Sequence, residues 1–317
     1  MSASPETPPT PARPGWAARA WDSDIAYSFR TSPVALVSGI VALVIVLAAV
    51  FAPLIAPHDP FNPATLNLMN GFTPPMAPNA FTGESFLLGT DDQGRDVFST
   101  ILYGARISLF VGFAAVIFAM VLGITLGLIA GYRGGWVDSL LMRIADVQLT
   151  FPSILLALLI FGIARGFIPP AYRETMAIWV LIVAIGLSDW VQYARVVRGA
   201  TMVEKNKEYV QAARVIGAHP VKILVRHILP NVMGPVLVIG TIGLALAIIA
   251  EATLSFLGVG VPPTQPSLGT LIRIGQSFLF SGEWWILAFP SVALLALALS
   301  VNLLGDWLRD ALNPRLR

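Results

Sequence analysis

Long uncharged apolar runs alternate with short polar segments along this 317-residue chain. Six runs, at about 33–57, 106–131, 148–167, 176–197, 232–255 and 285–306, are each of the ~20 mostly apolar residues a helix needs to cross a hydrocarbon core about 30 Å thick. The pattern predicts an all-α polytopic membrane protein with six transmembrane helices. The first run does not read as a cleaved leader: it is too long, starts too late, and lacks a small-residue cleavage site before the Pro-rich sequence that follows.

Between the runs lie polar pieces of different character. Residues 1–20 are rich in Pro, Ala, Ser and Thr without apolar period, and read as a disordered tail. The segment 58–104 carries turn signals in "APHDPFNP" and "TPPMAPN" and then the denser "GTDDQGRDVFSTILYGARISL"; a shorter loop at 256–284 holds "LGVGVPPTQPS". No fixed-period repeat is evident, which gives no support to a solenoid or a repeat transporter.

The polar stretch "EKNKEYVQAARVIGAHPVKILVRHILPN" (204–231) contains every lysine of the chain. Lys207, Gln211 and Arg214 make one helical stripe, and Tyr209, Ala213 and Ile216 another, so 207–217 reads as an amphipathic helix. Gly217 ends it, Pro220 suits the first turn of a second helix over 220–228, and Pro230 marks the bend into the next span. Two short helices tied to two membrane helices form a rigid handle that a partner can grip. An interfacial helix lying on lipid headgroups has the same pattern.

Composition agrees with the membrane reading. Hydrophobic residues make up 56% and charged residues 12%, half the ~25% of a soluble domain. A net charge of +2 does not point to nucleic acid, because the bases sit in loops between apolar runs. All Lys and Arg except Arg95, Arg106, Arg165, Arg173 and Arg273 fall on one side when the N-terminus is placed inside. The positive-inside rule therefore assigns both termini and the 204–231 loop to the cytoplasm. Cysteine is absent, excluding disulfides and thiolate metal sites.

Catalytic chemistry has little to work with. There is no G-x-x-x-x-G-K-[ST] phosphate loop, and His58, His219 and His227 form no H-E-x-x-H. "GLSDW" sets Ser188 beside Asp189 but lacks the second glycine of a nucleophile elbow. Asp91, Asp92, Arg95 and Asp96 in "GTDDQGRD" lack the spacing and terminal Glu of a calcium loop. They read as a loop scaffold with a helix cap near Asp96.

Asp189 and Glu251 lie within runs, where a carboxylate costs ~2.5–3.5 kcal/mol at a helix centre. Each reads either as a polar lining of a solute pathway or as a hydrogen bond between helices. Arg195 and Arg198 read as anchors at the inner end of a span, or as contacts to the neighbouring loop, and Trp284, Trp285 and Trp307 as an aromatic belt.

The 204–231 stretch resembles the EAA loop of permease subunits of ATP-binding-cassette (ABC) importers, with Ala212, Ala213, Gly217, Leu229 and Pro230 at matching positions. It departs from the pattern twice. Gln211 replaces the motif's Glu, exchanging a charged contact for a weaker neutral one, and His227 stands where the tail has Ile. Glu208, in an "EYV" context, offers a charge nearby.

"FAPLIAPHDP", "LGTDDQGRDVFSTILYGARISL", "YARVVRG", "EATLSFLGVGVPPTQPSLG" and "WWILAFPSVALLALALSVNLLGDWLRDALNPR" narrow the resemblance to the second permease of dipeptide, oligopeptide and nickel importers.

The resemblance covers about residue 28 to the end and implies a type I importer permease (MetI-like) fold. It divides the chain into a cytoplasmic tail (1–32), a first helix (33–57), an external loop (58–104), a five-helix core (105–310) with its coupling loop at 200–231, and a cytoplasmic end (311–317). It implies a non-catalytic subunit in the cell membrane of a bacterium or archaeon, with no cofactor of its own. The partners implied are a homologous second permease, one or two ABC ATPases that bind ATP and Mg, and an external substrate-binding protein, for which the region of Asp91, Asp92, Arg95 and Asp96 is the implied docking surface.

The coupling residues implied are Glu208, Tyr209, Gln211, Ala212, Ala213, Arg214, Gly217, His227, Leu229 and Pro230. The cargo expected is a di- or oligopeptide; nickel chelates or another small solute are the alternative within the same machine. An ATP-independent secondary transporter is the alternative outside it, and apart from Asp189 the spans offer little for a coupling-ion site.

Overall fold

The computed structural model describes residues 24–62 and 66–311, and every regular element among them is a helix. The Pro-rich tail and the last arginines fall outside those residues. α1 (Asp24–Thr31) leads into α2 (Pro33–Val50), whose start is fixed by Ser32 accepting from the Ala35 amide and by a proline where no amide hydrogen is needed. α3 (Val97–Arg133) begins well before its apolar run, because Asp96 accepts the Ser99 amide at 2.9 Å and caps the helix there. α6 (Arg173–Glu204), α8 (Leu229–Phe256) and α10 (Trp285–Ala311) are the other long helices.

The run at 148–167 is not one straight span. It is divided between α4 (Gly135–Leu149) and α5 (Ser153–Phe167), which meet at 99°. Pro152 disfavours helical backbone at Phe151, and the helix before it ends at Leu149. At 15 residues α5 is about 22 Å long, short of the ~30 Å hydrocarbon core. Among the described residues, five helical stretches are long and apolar enough to cross a membrane, and the bent pair makes a sixth if counted as one.

α3 is the organising helix. Gly123, Gly127 and Gly131 form a stripe on which α6 lies backbone to backbone; a Cβ on Gly127 would fall 2.5 Å from the Ala194 carbonyl oxygen. Small residues at this spacing give close approach where lipid supplies no hydrophobic drive between helices. On another side Ala105 meets Ile248 of α8, Leu268 of α9 (Leu268–Gln276), Leu297 of α10 and Ala49 of α2. Outward faces such as Phe110, Phe113, Ile117 and Val121 stay apolar and exposed, as suits lipid.

The segment 66–96 folds into a cap held by polar side chains. Thr90 accepts from the Thr73 amide at 2.8 Å, Asn79 donates to Thr73 at 2.7 Å, and Asn70 donates to Glu84 at 2.6 Å. Trp285, expected in an aromatic belt, is buried instead and donates its indole hydrogen to the Thr90 carbonyl at 3.0 Å, tying the cap to α10. Gly89, at φ +79°, leaves the room that indole occupies.

Candidate functional site

The loop after α6 turns at once into α7 (Glu208–Val215). Its C-terminus is a Schellman turn: Gly217 stands at φ +76°, and the amides of Gly217 and Ala218 donate to the carbonyls of Arg214 and Ala213 at 3.0 Å each. His219 Nδ1 accepts the Val221 amide at 3.3 Å and opens the return segment.

That return segment is not a separate helix with a bend at Pro230, as the sequence suggests. Pro220–Phe256 runs on as one helical stretch whose part over Ile223–Ile228 is π-helical. Pro230 has no amide hydrogen and its ring would crowd the Arg226 carbonyl in a regular α-helix; the wider π turns just before it relieve that clash.

The handle is bolted down on three sides. Val210 and Ala213 face inward and are buried with Ile223, Ile228 and Val232, and with Leu128 of α3 and Val197 of α6. Lys205 donates to the Gly131 carbonyl at 2.7 Å, and Arg214 lies 5.1 Å above the Tyr132 ring. Tyr209 donates to Glu204 at 2.5 Å and accepts from Asn231 at 3.1 Å, while Lys207 donates to the other Glu204 oxygen at 2.6 Å. Burial, followed by the bond to Glu204, pushes the Tyr209 hydroxyl up to about 12, so it remains a donor at any physiological pH.

The inward face differs from the expected stripe. Ile216 caps a helix that ends at Val215, so it leaves the helical register and points away. Among the described residues, Val215 (87% exposed), Ile216 (82%), Val221 and Val225 are exposed apolar side chains of the handle, and the polar and small residues Glu208, Gln211, Ala212 and Gly217 are exposed as well. Arg226 and Pro230 are exposed and His227 and Leu229 half-buried nearby. Sequence reasoning missed Glu204 and Asn231, which sit on either side of Tyr209.

The arginines near the C-terminal end of α6 make contacts to α4. Arg198 binds Asp138 of α4 through both Nε and Nη2, and Arg195 pairs with Asp146. Gln148 donates to the Leu187 and Ser188 carbonyls and accepts from Trp190 at 2.9 Å. α4 is thereby riveted to α6 directly before the bend.

The two intramembrane carboxylates have different surroundings. Glu251 is fully buried: Ser108 of α3 and Ser255 of α8 each donate to it at 2.7 Å, and Ser108 also accepts the Leu268 amide of α9. It is a junction of three helices. Asp189 is half-buried on α6, one turn before the buried Tyr193.

In the cap, Asp91 accepts the Gln93 and Arg95 amides at 2.9 Å and the Arg95 Nε at 2.6 Å, and Asp96 caps α3. Asp91, Arg95 and Asp96 are all buried. Asp92 is half-buried, and burial together with the Asp91 charge holds its carboxyl above the usual range.

A model described as "binding-protein-dependent transport system inner membrane component" matches residues 123–317, and one described as the N-terminal transmembrane domain of oligopeptide transport permease C matches residues 20–75. A dipeptide transport system permease protein (DppC) of Haemophilus influenzae is 37% identical over all of both chains. The chain belongs to the dipeptide and oligopeptide permease family of ABC importers.

An oligopeptide transport system permease protein (OppC) of Bacillus subtilis is a further relative, 38% identical over 93% of this chain and 90% of its own length. Among solved structures, an inward-facing MetNI methionine ABC transporter chain matches with TM-score 0.52 and 20% identity, covering 68% of this permease and 96% of that chain. The permease therefore has the MetI-like fold and is a multi-pass inner-membrane protein.

Proposed function

We propose that this permease forms half of the pathway of an ATP-driven importer for di- or oligopeptides. An external binding protein delivers the peptide, and a homologous second permease supplies the other half of the pathway. The handle at 204–231 sits in a groove of a separate ATPase subunit, which binds and hydrolyses the ATP. Both termini and the handle lie in the cytoplasm, with the 66–96 cap outside.

One observation carries this reading. The handle carries apolar side chains (Val215, Ile216, Val221, Val225) that are left exposed among the described residues, while its other face is fixed to α3, α6 and α8. A surface of that kind buries itself against a partner, and the fixed face transmits what the partner does. Closure of the ATPase dimer then swings the handle and switches the pathway between outward and inward access.

Right-side-out vesicles from the native membrane, loaded with ATP and given the binding protein and labelled dialanine, test it. Uptake that needs both additions supports the reading. Uptake without ATP, or none with every component present, refutes it.

A further inference from the structure

At the end of the helices opposite the handle, three of the five arginines outside the basic side come together. Arg165 at the end of α5, Arg173 at the start of α6 and Arg273 on α9 line one cleft of about 130 Å³, with Glu174 as its carboxylate. The 32 residues of α6 set it roughly 48 Å from Glu204.

Three guanidiniums against one carboxylate is an unbalanced set. Among the described residues none of the three arginines is in an ion pair. Arg173 donates its Nε to the Ile168 carbonyl at 3.2 Å, which fixes the side chain and leaves its terminal nitrogens available. Arg273 is fixed differently. Gly258 closes the turn after α8 at φ +80°, and a Cβ there would lie 2.2 Å from Arg273 Nη1 and 2.6 Å from Cζ. The guanidinium thus lies over a bare backbone, in the space a side chain would take. One of the three cations is thus held by a backbone carbonyl and a second lies against bare backbone before anything binds, and Val261 and Phe161 supply apolar walls beside them.

We propose that this cleft is a subsite for the carboxylate of a short peptide at the outer mouth of the permease. Guanidinium forks match a carboxylate in geometry and charge. Glu174 on the same cleft gives the ammonium of a zwitterion a partner, which a lipid phosphate would leave idle. The inference rests on the importer reading above and adds where the released peptide is first held.

The test uses the purified complex in nanodiscs, without the binding protein. Saturation-transfer NMR is recorded with millimolar L-alanyl-L-alanine and, separately, its C-terminal amide. The variant is Arg165→Gln with Arg273→Gln; both positions are exposed, and Arg173 keeps its backbone bond. The expected result is transfer to the free acid from the intact complex, an affinity loss of roughly tenfold or more in the variant, and little transfer to the amide in either. Equal transfer to acid and amide, or an unchanged variant, overturns the subsite. So does native mass spectrometry showing an anionic lipid that the intact complex retains, the variant releases, and dialanine fails to displace. Failure of ATP-driven peptide uptake by the intact complex would sink the importer reading instead, whereas intact uptake with an unresponsive cleft sinks only this inference.

Discussion

Tyr209 donates its hydroxyl hydrogen to Glu204 across 2.5 Å, and Asn231 donates to the Tyr209 hydroxyl oxygen at 3.1 Å. One side chain on the handle thus fastens the end of α6 to the start of α8. A push on α7 reaches both long helices through that point, which is the mechanical requirement of a coupling element.

Tyr209→Phe should leave the complex assembled, since Val210 and Ala213 still pack beneath it. It should loosen the handle by about 1 kcal/mol. The expected signature is ATP hydrolysis that persists with peptide uptake reduced several-fold, read as uptake per ATP in the reconstituted complex. An unchanged ratio would remove Tyr209 from the coupling path.

The raised phenol has a consequence for pH. The folded value near 12 lies above the ordinary value of 10, so the neutral donor is the favoured form. The tie's contribution is whole below about pH 10 and is lost as pH rises through about 12. The 295 nm difference spectrum of intact chain minus Tyr209→Phe should show one tyrosine ionising near 12; ionisation near 10 would mean that the bond to Glu204 does not form.

The glycine seam predicts a contrast. Gly127→Leu must push α6 away from α3, at a cost of about 1–3 kcal/mol or more. Gly199→Ala, on α6 with open space around it, should be neutral or stabilising by up to about 1 kcal/mol. Thermal unfolding in detergent should separate the two by several degrees, in that order.

Arg198→Gln strands a mostly buried Asp138, so it should destabilise by about 1–3 kcal/mol, and Asp138→Asn by a similar amount. The double variant should cost less than the sum, giving a coupling energy in a double-mutant cycle. Strict additivity would mean that the bidentate pair does not hold α4 to α6.

Much of this architecture is legible in residue order. Apolar runs place the long helices, Asp96 announces the start of α3, and Gly217 the end of α7. The failures have physical causes. A hydropathy window averages over Phe151 and Pro152, so the 99° bend vanishes into an apparent span. α3 starts early because a cap, and not apolarity, sets its first residue. The π-helical turns at Ile223–Ile228 leave no period in the sequence.

The EAA-like pattern is legible as a motif because its spacing is local. The triangle of Glu204, Tyr209 and Asn231 is not, since it closes only when α6 and α8 stand side by side. The same holds for Arg198 and Asp138, which are 60 residues apart. Ile216 shares a helical stripe with Tyr209 and Ala213 in the sequence, but the helix ends one residue too soon to carry it.

The central claim is that the exposed face of the handle is covered by an ATPase. The chain has no cysteine, so Val215→Cys places a unique thiol on that face and Ala213→Cys one on the buried face. With a short bismaleimide in native membranes, Val215→Cys should cross-link to an ATP-binding subunit in a nucleotide-dependent manner, and Ala213→Cys should not. Cross-linking from neither position, or labelling of Val215→Cys by lipid-soluble maleimide alone, would contradict the account and leave the handle as a helix resting on the membrane surface.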